Sequence, residues 1–356
     1  MQQFYTFQTI RGIQAGREYY VTMCPLRLVP RLFQFDDEDL DPSLRSQRIL
    51  NKARIPMIAE YLVNNPMNYV FSAITASVDA HVEYRPIDED NYNMGLLQIP
   101  MSARFIVNDG QHRRAAIEAA LKQNSNLGKE TIGVVLFIDE GLKRSQQMFA
   151  DLNRYSVRST NSLNILYDNR DPLADVARQL SFEVPVFNGL TELEKTTISN
   201  RSKKLFTLSS IYKATLELLG EDNSASLSDQ KDIAYNYWLE ISTYLKEWTA
   251  VKEEKITAAQ LRKDCLNAHA ITLIALGKVG HYLLHKYPLD WKSHLERISY
   301  IDWNRKNKRW EGRVTIGGKI SFSRNNLLLL TNEFKNILNL PLSEEEVKAE
   351  KAWLND

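Results

Sequence analysis

The first 140 residues alternate between short apolar runs and polar breaks, which is the pattern of a domain built on β-strands. Residues 4–10 and 17–23 are aromatic and β-branched runs around a polar segment with two glycines, and this spacing predicts a β-hairpin. Residues 69–76 form an almost uninterrupted apolar run, which favours a strand covered on both faces. The polar segment 83–93 contains a proline and predicts a loop.

Two helices are predicted between the hairpin and the strand at 69–76. Pro42 suits the start of a helix over residues 42–51. Pro56 suits the start of a second helix, in which apolar residues recur at helical spacing.

The most regular unit of the chain spans residues 103–138. A strand at 103–107 is followed by a turn, a helix at 111–122 and a strand at 131–138. This order predicts one β-α-β crossover, and such crossovers are right-handed in nearly all proteins. A further helix is predicted over residues 142–154.

Beyond residue 161 the strand signals fade and apolar residues recur at helical spacing. An aromatic stripe that includes Tyr237, Trp238 and Trp248 predicts a helix face in the core or at a self-association surface, and a base-stacking platform is a further alternative. Gly317 and Gly318 lie between two short β-like runs and predict a tight hairpin. The predicted helices span residues 171–181, 202–219, 228–249, 257–287, 327–338 and 344–354.

These elements predict an α+β fold with two domains. Residues 1–165 are expected to form a mixed α/β domain. Residues 166–356 are expected to form a mostly helical domain with a small basic hairpin near 301–323.

Composition excludes several classes of protein. With 45 Lys and Arg against 44 Asp and Glu, the formal net charge is +1, so any nucleic-acid site must come from local clustering of charge. The two cysteines, Cys24 and Cys265, are far apart, which excludes a disulfide framework and a cysteine-rich zinc site. No stretch approaches the roughly 20 apolar residues of a membrane span, and the N-terminus lacks a signal-peptide pattern. We therefore expect a cytoplasmic protein that does not contact membranes.

The candidate chemistry is concentrated in residues 109–113, which read Asp-Gly-Gln-His-Arg. A glycine between a buried strand and a helix lets a phosphate approach the backbone, and the first helical turn presents N–H donors to it. Arg113, followed by Arg114, adds positive charge, and His112 is suited to donate a hydrogen bond or carry a proton. Asp109 has three open roles, which are to hold a metal ion, to orient an arginine or to cap the helix. A capped, solvated helix start without any ligand is the alternative for the whole cluster.

These five residues spell the signature of the DGQHR-domain proteins, and the chain around them resembles the DndB family of bacterial DNA phosphorothioate modification. Supporting segments are residues 13–17 with Tyr19 and Tyr20, the pair Gln47 and Arg48, and residues 149–154. The resemblance covers nearly the whole chain. It implies a DNA-binding transcriptional repressor of the sulfur modification genes, with promoter DNA as partner. Other modification proteins and a second copy of the chain are further partners that it leaves open.

The same strand-turn-helix segment has a more distant likeness to the ParB and sulfiredoxin superfamily. In sulfiredoxins a catalytic cysteine precedes His-Arg, whereas this chain has Gln111, so reduction of a sulfinic acid is not implied. The likeness implies that Gly110, Gln111, His112 and Arg113 bind the phosphates of ATP or another nucleotide with Mg²⁺. A rival reading is therefore a nucleotide hydrolase, in which Asp109 and His112 are catalytic and Asp109 holds the metal.

Two further groups are candidates for closing over a bound phosphate. Arg48 and Asn51 are three residues apart and share a helix face, so they form one candidate pair. Asn153 and Arg154 end the predicted helix at 142–154 and form the other. The alternatives are a solvated basic face for the first pair and an arginine stabilised by the helix dipole for the second.

Basic residues cluster in two later segments, at 196–204 and 303–313. Hydroxyls, amides and aromatic rings accompany these cations, which suits contacts to a DNA backbone. A capped helix start and a solvated turn are the respective alternatives, and a subunit that docks on the modifying complex would bind neither DNA nor nucleotide. The candidate DNA-binding residues are Asn200, Arg201, Lys203, Lys204, Arg305, Lys306, Lys308, Arg309 and Arg313.

Overall fold

The computed structural model describes residues 3–33, 50–138, 142–154, 159–220 and 225–355. The chain divides into two compact units, Met1–Val157 and Arg158–Asp356. The first unit contains a seven-stranded mixed sheet with helices, and the second is mainly helical, so the predicted α+β class is confirmed.

The sheet of the first unit has the strand order β4-β5-β1-β2-β7-β3-β6. Neighbouring strands are antiparallel except β3 and β7, which are parallel. The strands are β1 (Phe4–Gln14), β2 (Arg17–Pro25), β3 (Ile74–Asp79), β4 (Glu83–Pro86), β5 (Met94–Pro100), β6 (Arg104–Asp109) and β7 (Thr131–Ile138).

The predicted N-terminal hairpin is confirmed as β1 and β2. Its turn consists of Ala15 and Gly16, whose φ angles of 50° and 72° are both in the left-handed region. Turns of this kind match the twist of an antiparallel pair. Both strands extend beyond the predicted apolar runs, β1 to Gln14 and β2 to Pro25. The segment 83–93, predicted as a loop, begins with strand β4, and strand β5 was not predicted.

The predicted β-α-β crossover is wrong. Strand β3 lies between β6 and β7, pairing with β6 in the antiparallel sense and with β7 in the parallel sense. Strands β6 and β7 are therefore neither adjacent nor parallel. An apolar run predicts that a strand is buried but not which strand lies beside it, because pairing is decided by contacts distant in sequence.

One face of this sheet is covered by α1 (Val29–Leu32), α2 (Ile55–Asn64) and α3 (Gln111–Gln123). Ala116 and Ala120 of α3 are fully buried, so the small-residue face of this helix packs into the core. On the opposite face, α4 (Leu142–Arg154) lies against β6, where the amide of Asn108 donates to the Ser145 carbonyl at 3.1 Å. The predicted helix at 42–51 falls mostly outside the described residues.

The second unit has one large core. The aromatic stripe is part of it, since Tyr237, Trp238 and Trp248 are fully buried. Two predicted helices are each broken in two, at Leu245 and at the segment Cys265 to His269. The helices are α5 (Asn161–Tyr167), α6 (Pro172–Glu183), α7 (Leu208–Leu219), α8 (Leu227–Tyr244), α9 (Lys246–Lys252), α10 (Ala258–Asp264), α11 (Ala270–Lys286), α12 (Trp291–Leu295), α13 (Arg324–Ile337) and α14 (Glu344–Asn355).

Two small two-stranded sheets complete the second unit. Strands β8 (Thr191–Glu192) and β9 (Phe206–Thr207) are parallel. Strands β10 (Thr315–Ile316) and β11 (Lys319–Ile320) form the predicted hairpin around the two glycines. Among the described residues, no helix of either unit has the length and apolar character to cross a membrane.

Candidate functional site

The strand-to-helix junction is formed by the end of β6, Gly110 and the start of α3. Gly110 has a φ angle of 110°, a conformation that L side chains rarely adopt. A Cβ atom at this position would lie 3.0 Å from Ile74 Cγ1 and 3.1 Å from Arg113 Nη2. No side chain caps α3, so Asp109 does not have the capping role. The N–H groups of the first turn are therefore not capped by a side chain, as an anion site requires, although Gly110 and Gln111 are buried.

Asp109 instead orients Arg113. The Arg113 Nη2 atom lies 2.7 Å from Asp109 Oδ2 and 3.0 Å from the Ala73 carbonyl oxygen. The Arg113 Nε atom is buried and has no hydrogen-bond partner within the described part of the chain. The side chain of Arg113 is 21% exposed and that of Asp109 46% exposed, so the ion pair lies at the surface of the junction. The guanidinium is thus fixed in place before any ligand binds.

The neighbouring residues of the junction have different surroundings. His112 Nε2 accepts a hydrogen bond from the backbone N–H of Asn51 at 3.2 Å, although 61 residues separate them. In the neutral ring this bond places the proton on Nδ1. Gln111 is buried, and its amide donates to the Val107 carbonyl at 3.2 Å. Asn51 is therefore in contact with His112 at the junction. The side chain of Gln111 points into the protein interior.

Arg114 does not add charge to the junction, contrary to the expectation for two adjacent arginines. It is buried, donates to the carbonyl oxygens of Phe33 at 2.6 Å and Pro30 at 2.9 Å, and pairs with Glu118. Successive helical residues are rotated by about 100°, so the two arginines lie on different faces of α3.

The other phosphate-binding candidates are less well placed. Arg48 and the side chain of Asn153 fall outside the described residues. Arg154 is exposed at the last position of α4. No group of three His, Cys, Asp or Glu residues able to hold a metal ion occurs within the described ranges. Mg²⁺ often binds through a single carboxylate together with substrate phosphates, so Asp109 fits this metal only if a nucleotide supplies the remaining ligands.

In the second unit, two arginines organise the segments that were predicted to bind DNA. Arg262 on α10 donates to the carbonyl oxygens of Lys204, Ser199 at 2.9 Å and Ser202 at 3.1 Å. Burial lowers the pKa of Arg262, in the direction expected for a cation removed from water. Sequence reasoning missed Arg262, because nothing in a helical pattern shows that a side chain will bind a distant loop.

Arg305 has the equivalent role for the second basic segment. Its Nη1 donates to the Lys263 carbonyl at 3.0 Å and its Nη2 to the Gly318 carbonyl at 2.6 Å. It therefore links α10 to the turn of the β10–β11 hairpin.

The two basic segments meet across one cavity of about 980 Å³. A neighbouring cavity of about 690 Å³ shares Lys263 and Arg305 and reaches the hairpin turn. One more lining residue, His269, adds no charge at neutral pH, because burial lowers its pKa to about 4. We call this surface the basic cleft and define it by Asn200, Arg262, Lys263, Arg305 and Lys306.

The other cations of the two basic segments differ in how many contacts they make within the protein. Lys204 donates to the Gly189 carbonyl at 2.9 Å, and Arg309 pairs with Glu333 at 3.3 Å. Four others are exposed and form no ion pair within the described part of the chain. They are Arg201, Lys203, Lys306 and Lys308.

Arg313, also predicted to bind DNA, is covered in this structure. Its two terminal nitrogens lie 2.7 Å from the two carboxylate oxygens of Glu350. Its guanidinium is 4.0 Å from the ring centre of Trp353, and its side chain is 9% exposed. Arg313 therefore does not contribute to the exposed surface of the basic cleft.

The fold and the site together define an α+β protein with a candidate anion site in its sheet unit and a basic cleft in its helical unit. Over residues 7–341, nearly the whole chain, the sequence matches the DndB family, described as DNA-sulfur modification-associated. The chain belongs to this family, as its signature residues predict. No curated protein matches it significantly, and neither does any solved structure.

Proposed function

We propose that the protein is a DNA-binding transcriptional repressor of DNA sulfur modification genes and that its basic cleft holds the DNA backbone. The observation that carries the proposal is that Asn200 and Arg305, about 100 residues apart in sequence, line one cavity together with Arg262 and Lys263. Family membership supports the connection to DNA sulfur modification. Because the net charge of the chain is only +1, the four cations of the basic cleft are a local property of one surface, which the carboxylates of Asp264 and Glu311 also line.

The first test removes two exposed cations of the basic cleft. Lys263→Ala combined with Lys306→Ala is expected to weaken binding of a promoter duplex. It should also reduce the slope of log affinity against log salt by about 2, because each lost phosphate contact lowers that slope by about 0.9. Fluorescence anisotropy with a labelled duplex, titrated at several salt concentrations, measures both quantities.

The matched control is Lys246→Ala with Lys286→Ala, which removes the same charge from exposed positions elsewhere in the helical unit. It should leave the salt slope nearly unchanged. Equal losses in both double variants would mean that overall charge, rather than the basic cleft, determines binding.

A nucleotide phosphate at the start of α3 is the second part of the proposal. The absence of a side-chain cap on α3, the positive φ angle of Gly110 and the pre-oriented guanidinium of Arg113 support it. A phosphate would meet backbone N–H donors together with a fixed charge, and charge-assisted hydrogen bonds of this kind are the strong ones.

The second test is Arg113→Gln, which is expected to weaken binding of ATP with Mg²⁺ at least about tenfold by isothermal titration calorimetry. Lys122→Gln, at the exposed far end of α3, is the control and should bind as the unaltered protein does. Phosphate release that is lost in Asp109→Asn would favour the hydrolase alternative. Unchanged nucleotide binding by Arg113→Gln would remove the phosphate site from the proposal.

A further inference from the structure

Helix α14 is attached to the second unit in an unusual way. None of its described side chains is buried. Val347 and Leu354 are 37% and 70% exposed, and the half-buried ring of Trp353 contacts the Arg313 guanidinium. Most helices of globular proteins are stabilised by burying an apolar face. Helix α14 must therefore be held mainly by polar contacts.

Those contacts are made by two carboxylates one helical turn apart. Glu350 forms the bidentate ion pair with Arg313, and Glu346 pairs with Lys335 through both oxygens, at 2.6 and 2.8 Å. The side chains of Arg313 and Lys335 are only 9% and 8% exposed beneath α14. Two cations are thus covered by a helix that contributes little apolar packing.

Glu346 remains charged at neutral pH. Burial acts to raise its pKa, but the hydrogen bonds from Lys335 and the Ser343 backbone outweigh burial, and the pKa is lowered overall. The carboxylate of Glu346 therefore faces Lys335 as a full negative charge.

The family match ends at residue 341, so α14 lies outside it while Arg313 and Lys335 lie within it. The covered cations are also continuous with the basic segment. Glu333 contacts Arg309 at 3.3 Å and Arg313 at 3.4 Å, which places the covered arginine beside an exposed one.

We infer that Arg313 and Lys335 form a further phosphate-binding site for DNA and that α14 blocks it with the carboxylates of Glu346 and Glu350. The inference rests on the proposed DNA binding and concerns its regulation. Carboxylate and phosphate groups are both bound by a guanidinium through two parallel hydrogen bonds, so each is able to replace the other. Without α14, Lys335 would lose the carboxylate of Glu346 and Arg313 would keep only the longer contact to Glu333, so we expect α14 to leave when another anion takes its place.

The test uses the full chain and two charge-matched variants. Glu346→Gln with Glu350→Gln should raise the affinity for a DNA duplex about tenfold and steepen the salt slope by about 2, for two added phosphate contacts. Glu344→Gln with Glu345→Gln changes the net charge equally at exposed positions of the same helix. This control should leave the slope unchanged. Adding Arg313→Gln to the first variant should abolish much of its gain.

A second measurement does not depend on how the variants fold. Hydrogen exchange of the unaltered protein should show that the amides of α14 lose protection when duplex DNA is added. Equal affinity and slope in the two glutamate variants, or unchanged protection of α14 in the DNA complex, would overturn the inference while the proposed function stands. Absence of DNA binding by the unaltered protein would instead contradict the proposed function.

Discussion

Arg114→Ala is expected to reduce the free energy of unfolding by about 3–5 kcal/mol, because it removes a buried guanidinium whose two carbonyl acceptors are then unpaired, at about 1–3 kcal/mol each. Its guanidinium supplies donors to the carbonyl oxygens of Phe33 and Pro30 and pairs with Glu118. Alanine would leave these buried acceptors without partners and disconnect α3 from the segment that ends α1. Urea unfolding followed by circular dichroism measures the loss.

The matched comparison is Arg113→Ala, one residue earlier in the same helix. Its ion pair with Asp109 is partly exposed, so its removal should cost only about 1 kcal/mol. The expected pattern is a stable protein with weak nucleotide binding for Arg113 and a destabilised protein for Arg114. Similar losses of stability in both variants would show that the two arginines do not divide these roles.

Gly277→Ala is expected to destabilise the helical unit by about 3 kcal/mol or more, although helix propensity alone predicts a gain of about 1 kcal/mol. Gly277 lies inside α11, where a Cβ atom would be 2.2 Å from the backbone carbonyl oxygen of Ala214 on α7. A backbone atom cannot move aside as a flexible side chain can. The two helices would therefore have to separate, and the core that they share would be disrupted.

Thermal and urea unfolding of Gly277→Ala measure this effect. The control is Lys286→Ala, at an exposed position in the last turn of α11, which should change stability by less than about 0.5 kcal/mol. A variant at Gly277 as stable as the unaltered protein would mean that α7 and α11 do not approach as closely as the structure describes.

Local patterns predicted the elements whose partners are close in sequence. The hairpins β1–β2 and β10–β11 follow from turn glycines between apolar runs, because turn geometry aligns the adjacent strands. The position of β6 and α3 around Gly110 also follows from residues that are neighbours in the chain. Strand order and β5 were not predicted, since pairing between distant segments leaves no periodic signal.

The candidate sites also differ in how far the local sequence predicts them. The anion site at residues 109–113 was proposed from residue types alone, and its ligand remains a prediction. That Arg113 faces Asp109 and Arg114 faces the core depends on what packs against each side of α3. The basic cleft required the fold, because Arg262 and Arg305 connect segments that the sequence keeps far apart.

The sequence by itself determined the fold class, the family and the chemical types at the junction, because periodicity, turn residues and the five-residue signature are local properties. Only the tertiary structure decided which cations are exposed, which are covered by α14, and where a helix tolerates no side chain. Those outcomes depend on the distances between elements, which packing of the whole unit sets and no single segment encodes.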